Sequence, residues 1–588
     1  MRVKIARSST PGDGHVYIVE SYRDANGRPT SRVIEKLGLV SQLTAHDPDW
    51  RATAEARASE LTKHRQACRG HLAYDTSARS SGRMALNTGW WLIDAQLQAL
   101  GAKQVLQDSC RQHGWLIDSF QILRALVAGR VIDPASKKAT IEHLPSMCLA
   151  PEVDLDTTYR ALDHIAEVSL ALQAAAARQV RPAGQNLEVV FYDVTNYFFT
   201  VDQNDPGPIN HEVARGQASR RRGASKENRK TAIIQMGLFL DATGLPVSYR
   251  LFNGNTPDAS TLQTALKEFK ATFTASRMVV VADKAMNNQT NTGLLAQGGD
   301  GWIVSGSARS AGKTTRAWLL DPAGWQTTAW DTHGQPVVKV KTRLTRRNVA
   351  WTTPEGVKVH KVVPERLVAR WSAHYAARDA ANRADMLAKA QSVIDEPSRY
   401  KASTRHGVNK YITPQIVDPA TGVLHPASGP DVLVIDTDRV DHDAEMDGYW
   451  LIHTSETTIP VDQILDRYQE LWRIEETFKV SKTDLQARPV YVSTPQHIEA
   501  HFTICFLALL ITRQLEQQTG LNTNQLLAAI RGATARELGD GVYVLDRPAT
   551  WDLIDQATGA PLDQETATIE QLRAWRHRLQ TSRLPTLH

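Results

Sequence analysis

Two short apolar runs in this chain each stop on an aspartate. Leu187-Glu-Val-Val-Phe-Tyr-Asp193 and Ser276-Arg-Met-Val-Val-Val-Ala-Asp283 are rich in β-branched and aromatic residues, as buried strands are. Between them, Thr231–Asp241 and Leu245–Gly254 read as two further strands across an Ala-Thr-Gly turn, and Pro257–Phe273 reads as a helix with a Pro-Asp start. Three strands, a crossover helix and a strand specify a mixed α/β sheet. An acid closing a buried strand lies at the sheet edge where α/β proteins build their sites. One such acid commonly does no more than cap a turn; two at comparable strand ends are harder to dismiss. If the strands are neighbours, the carboxylates repel and cannot both ionise cheaply. A divalent cation resolves the conflict, and oxygen-only ligands select Mg²⁺ or Mn²⁺.

The rest of the 588 residues divides around this centre. Residues 1–40 read as a small β-hairpin unit around Asn26-Gly27, 41–86 as a linker helix, and 87–181 as an all-α domain with apolar spacings of three and four. The first part of the sheet occupies 182–306. Residues 307–445 read as a β-rich insertion with one helix, because 192 positions separate Asp283 from Glu475 against 90 between the two aspartates. Residues 446–520 supply a returning strand, a long helix from Pro460 to Leu485 and a buried helix, and 521–588 a C-terminal unit. The longest apolar run, Phe502–Thr512, is short of the ~20 residues that span a bilayer. The first residues show no apolar signal segment, and four scattered cysteines suit a reducing cytoplasm. The net charge of +5 permits an acidic partner without proving one.

The third acid comes from the long helix. Tyr468, Glu475 and Lys482 recur every seven residues, with Leu471, Trp472 and Lys479 between them on the same expected face. Leu465, Ile474 and Phe478 are the expected core face. An i,i+4 bridge from Glu475 to Lys479 is the plain alternative.

The segment Tyr468-Gln-Glu-Leu-Trp-Arg-Ile-Glu475-Glu-Thr-Phe-Lys-Val-Ser-Lys482 resembles the Tyr-x2-Arg-x3-Glu-x6-Lys signature of DDE transposases of the insertion-sequence-four superfamily. FYDVTNYFF resembles the first-aspartate strand of that group, VVVADKAMNN its second-aspartate segment, and GLPVSYRLFNGNTPD the strand and turn between. GRVIDPASKKAT, RPVYVSTPQHIEAHF and ESYRDANGR are similar to segments of the same branch. Two positions depart: the signature arginine is Leu471, and the usual Asp-Arg-Gly is Asp283-Lys284-Ala285. The resemblance implies a ribonuclease-H-like catalytic core within an α/β protein, preceded by a helical DNA-binding domain and a small β unit. It implies two Mg²⁺ or Mn²⁺ ions on Asp193, Asp283 and Glu475, cutting and joining double-stranded DNA at element ends, a homodimer on DNA, and a nucleoid-associated cytoplasmic protein with no membrane contact.

Basic residues add candidates. Arg215–Lys230 holds Arg220, Arg221, Arg222, Lys226, Arg229 and Lys230 shortly after Asp193, where neutralised phosphates would release counterions. A solvated loop is the bland alternative. Lys339, Lys341, Arg343, Arg346 and Arg347 fall on one expected hairpin. Tyr468, Trp472, Arg473, Lys479 and Lys482 are the expected DNA contacts of the helix, although Trp472 reads more readily as core than as a stacking platform. The histidines show no zinc spacing. Two rival functions remain: a metal nuclease that cuts without joining, and a catalytically impaired or domesticated DNA-binding protein.

Overall fold

The computed structural model describes residues 1–6, 13–23, 28–67, 84–181, 187–205, 213–227, 230–273, 277–353, 356–400, 407–417, 424–426, 432–539, 541–559 and 564–581. The expected Asn26-Gly27 turn, Cys68 and Arg229 lie outside them. The chain forms two compact units: one of residues 1–86 with 534–546 and 562–575, the other of 87–533, 547–561 and 576–588. This division differs from the expected one, because parts of the C-terminal stretch belong with the N-terminal residues.

In the first unit, Arg2–Ile5, His15–Arg23 and Pro29–Leu39 form an antiparallel sheet. The helix Trp50–Ala67 is mostly polar, yet Ala54 and Ala58 are buried. It packs on the sheet rather than serving only as a linker.

The second unit is built on a nine-stranded sheet. Its strands are β1 (Val189–Phe198), β2 (Ile233–Asp241), β3 (Pro246–Asn253), β4 (Val279–Ala282), β5 (Gly301–Gly306), β6 (Gln326–Trp330), β7 (Pro336–Thr352), β8 (Lys358–Ser372) and β9 (Tyr449–Thr454). The spatial order is β6-β7-β8-β9-β5-β4-β1-β2-β3. β4 runs parallel to β1 and β5, and the other pairings are antiparallel. One face carries Tyr192, Val194, Ala282, Val304, Val349 and Val363, which pack with Leu262, Leu266 and Phe269 of α1 (Asp258–Phe273) and Leu295 of α2 (Gln289–Gln297). Gly293 lets α2 approach β7: a Cβ there would lie 2.5 Å from the Ala350 carbonyl oxygen.

Residues 307–445 are strand-rich, but their long hairpin is no separate layer. β7 and β8 pair over 15 residue pairs, and β8 joins β9 within the main sheet. The segment also holds the helix α3 (Ala373–Asp395) and a small sheet of Ile412–Val417, Leu424–Pro426 and Val432–Ile435. Residues 90–180 are helical throughout their longer elements.

The expected continuous helix from Pro460 is broken. α4 (Val461–Gln469) and α5 (Trp472–Lys479) are separated at Glu470–Leu471, and α5 runs into a π turn over Val480–Asp484. Ile464, not Leu465, is the buried residue of α4, while Ile474 and Phe478 are buried as expected. The helix α6 (Pro495–Thr519) is long and apolar enough to cross a membrane, but its most apolar window is 89% buried in this fold.

A buried polar chain ties the helical bundle to the exit of the π turn. Lys137 Nζ donates to His501 Nδ1 at 2.7 Å, and His501 Nε2 donates to the Ala487 carbonyl at 3.0 Å. The carbonyl can only accept, which fixes the histidine tautomer. Arg130 donates to the carbonyls of Gln486 and Ala135 at 3.1 and 3.0 Å.

Candidate active site

The parallel register places the aspartates. Tyr192 pairs with Ala282, and Ala282 with Val304, so Asp193, Asp283 and Ser305 follow side by side where the parallel pairing of β1 with β4 stops. Their faces alternate away from the α1–α2 core. β1 itself does not end on Asp193 as expected: it runs on to Phe198, held by its antiparallel pairing with β2. The Ser305 hydroxyl donates to Asp283 Oδ1 at 3.0 Å, and the Tyr468 hydroxyl donates to the same oxygen at 3.5 Å. Burial pushes the Asp193 carboxyl up to about 6; Lys226 opposes the shift, and the charges of Asp283 and Asp258 add to it. Burial also raises the Tyr468 hydroxyl, with further contributions from the charges of Asp283 and Glu475. Asp193 thus feels the charge of Asp283, and Asp283 and Glu475 both act on Tyr468.

The third expected acid, Glu475, stands on α5. α5 turns Ile474, Thr477 and Phe478 inward and leaves Trp472, Glu475 and Lys479 exposed. Asp283, Tyr468, Leu471, Trp472 and Glu475 share a cleft of about 490 Å³ with Arg370 and Trp450. Trp450 meets the Tyr468 ring edge-on at 4.7 Å. Among the described residues no three acids, histidines or cysteines gather closely enough to hold a metal ion. The position against Asp193 is taken by an ammonium group. Lys226 Nζ lies 3.9 Å from Asp193 Oδ1 and 3.9 Å from Asp258 Oδ2, and it donates to the Val194 carbonyl. The donors are all carboxylate oxygens, the type that a hard divalent cation takes.

The seven-residue stripe is not straight. The break before α5 sends Tyr468 to Asp283, whereas the π turn sends Lys482 to Thr195 Oγ1 at 2.6 Å, beside Asp193. Burial, then the charge of Lys226, lowers the Lys482 ammonium to about 8. Trp472 is 55% exposed rather than in the core. Leu471 is buried at 9% exposure, so the open helix edge needed for the signature arginine is absent. Arg473 cannot replace it as placed: it donates to Glu470 and to the Ala242 carbonyl. Lys479 shares the exposed face of Glu475.

Most of the expected basic surface is structural. Arg220 is 11% exposed, pairs with Asp205 at 2.5 Å, and lies over Phe199. Arg221 donates to the Asp205 carbonyl. Arg222 is 60% exposed and bridges to Asp202, and Lys230 is exposed. On the hairpin, Lys341 donates to two carbonyls, Arg343 lies over Trp318, Arg347 pairs with Glu365, Lys339 sits over Trp371, and Arg346 is exposed. Neutralising Arg222 alone is therefore expected to lower the salt slope of duplex binding by about 1. Arg220→Ala is expected to leave the slope in place and destabilise the loop, which a salt titration beside a thermal melt will separate.

Asp258, Ser305 and Thr195 escape a reading of the sequence. Asp258 has the signal of a helix start and nothing more; only the fold brings it to Lys226. A family model described as a transposase DDE domain matches residues 202–511, which includes Asp283 and Glu475 and begins just after the Asp193 strand. A second, described as the N-terminal domain of IS1634 family transposases, matches residues 3–70. That name differs from the insertion-sequence-four group. No curated protein matches the chain.

Proposed function

Because the chain belongs to the DDE transposases of insertion sequences, we propose that it cuts and rejoins DNA at element ends through Asp193, Asp283 and Glu475. The observation that carries this reading is the register that sets Asp193, midway along β1, next to Asp283, just past the end of β4, with Glu475 on the cleft that Asp283 lines. The mixed centre of the sheet supports a ribonuclease-H-like core. Asp193 and Asp283 would hold Mg²⁺ or Mn²⁺, two ions by the resemblance, with Glu475 completing the set. Bound there, the ions lower the pKa of a water and offset charge on the phosphodiester oxygens.

The chain's own residues position the reactants. Ser305 and Tyr468 orient the Asp283 carboxylate through one oxygen. Lys482 is held by Thr195 at the Asp193 side, where a backbone phosphate would meet its charge. Trp472 and Lys479 flank Glu475 on the exposed face of α5, toward the duplex. Water attacks the phosphorus and the bond to the 3′ oxygen breaks, freeing a 3′-hydroxyl. That hydroxyl then attacks a phosphodiester of the target and displaces its 3′ oxygen. Pairing of two ends calls for a dimer on DNA, with the helical residues 87–181 reading the ends.

The test is a labelled duplex carrying the terminal repeat of the element, incubated with Mg²⁺ and a plasmid target. Joined products that vanish in Asp283→Asn are expected. Cleavage without joining would make the protein a nuclease, and metal-independent binding without cleavage would make it a domesticated DNA-binding protein.

A further inference from the structure

Among the described residues of the basic loop, Lys226 is the one that turns toward Asp193. Its ammonium sits equally far from Asp193 and Asp258, 3.9 Å from each, and is anchored by the Val194 carbonyl. Asp193 is 22% exposed and Asp258 34%, whereas Lys226 is 46% exposed. The lysine thus reaches into the acids from solvent on a flexible stem. Its neighbour Glu227 is engaged elsewhere, with Arg488 and within 3.9 Å of Lys482. Asp258 opens α1 and is no part of the three-acid signature, so the lysine bridges a reaction acid to one outside that set.

A lysine is a compact charge with three donors and no fixed geometry. It can neutralise a carboxylate pair as a metal ion would, but with one charge where the ion brings two. Neither can occupy the space against Asp193 while the other is there. A duplex approaching the acids brings phosphates within reach of the same half-exposed lysine, and a phosphate is the stronger competitor for an ammonium already exposed to water.

We propose that Lys226 is a displaceable counter-ion for the reaction acids: it holds Asp193 and Asp258 in the DNA-free protein, weakens divalent-metal binding there, and is drawn off by a DNA phosphate so that duplex and metal load together. This rests on the assignment of Asp193 as a metal ligand. By linkage, the metal must then strengthen DNA binding by the factor by which DNA strengthens metal binding.

The experiment measures Mn²⁺ binding to the full chain by calorimetry, with and without a mixed-sequence duplex at low salt, for the wild type, Lys226→Met, Lys226→Arg and Asp193→Asn. Lys226→Met is expected to bind Mn²⁺ about tenfold more tightly without DNA, within the ordinary range of site coupling. The gain that DNA gives the wild type should largely disappear in it. Lys226→Arg, which keeps the charge, should stay close to the wild type. Unchanged or weaker Mn²⁺ binding in a folded Lys226→Met, or an undiminished gain on adding DNA, would overturn the proposal. If Asp193→Asn binds Mn²⁺ as well as the wild type, the assignment of Asp193 itself fails, a result distinguishable from failure of the lysine's role.

Discussion

Asp193→Asn is expected to reduce cleavage by about 10³-fold or more, as loss of a charge-stabilising group at a reacting phosphate does, while duplex binding persists. The same change should make the folded protein more stable above neutral pH. Burial raises the Asp193 carboxyl from an ordinary 3.8 to about 6. The folded state therefore binds more protons than the unfolded one between these values, and stability falls as pH rises through the window. Above pH 6 the whole penalty is present, on the order of 2–3 kcal/mol. Asparagine has no charge to bury, so its denaturation midpoint should be higher at pH 8 and flatter between pH 4 and 6. A less stable Asp193→Asn at pH 8 would show that the carboxylate is satisfied in the fold and not held there for chemistry.

The second large effect lies in the buried polar chain of Lys137 and His501. Burial, helped by the charge of Arg130, lowers the Lys137 ammonium to about 7. A cation whose folded pKa is depressed sheds its proton on folding, so stability rises as pH increases from about 7 toward the unfolded value of 10.5. Between pH 7 and pH 9.5 the gain should be about 3 kcal/mol, on the conversion of 1.4 kcal/mol per pKa unit. Urea denaturation at about pH 7 and pH 9.5 will measure it against Lys137→Met, which removes this titration. The wild type should gain on the variant as pH rises. Parallel pH profiles for the two proteins would mean that Lys137 stays charged in the fold, with His501 as its acceptor.

What the sequence made legible follows from where the determining contacts lie. Asp193 and Asp283 stand out in the sequence because each closes an apolar run, although β1 itself runs on to Phe198. Glu475 stands out through its spacing from Tyr468 and Lys482, yet the helix that bears it breaks where Gln469-Glu470-Leu471 offers no proline or glycine to announce the change. The fate of the arginine loop was hidden because Arg220 and Arg222 find Asp205 and Asp202 across 15 and 20 residues of chain. Alternation along β7 and β8 showed which side chains share a face, but not that the hairpin would join the central sheet through β9. Alternation fixes faces; partners come from packing. Asp258 was concealed by a second role, because an aspartate at a helix start already has a reason to be there.

The π turn over Val480–Asp484 bears on genetics. A ring closed from a residue to the fifth beyond it encloses one amino acid more than an α turn. Deleting a single codon there would let the Leu485 N–H close on the Val480 carbonyl as an ordinary α turn, so the chain beyond would keep its phase. One codon removed from the α turns of α5 would instead rotate everything after it by about 100°. Ala487 would still meet His501 after a deletion in the π turn, and the contact at stake is that of Lys482 with Thr195, which the wider turn sets. Single-codon deletions in 480–484 should therefore leave a folded protein, whereas those in 472–479 should not. In a random deletion library screened for soluble protein and for mobility, this five-residue stretch should appear where the fold survives and mobility is lost.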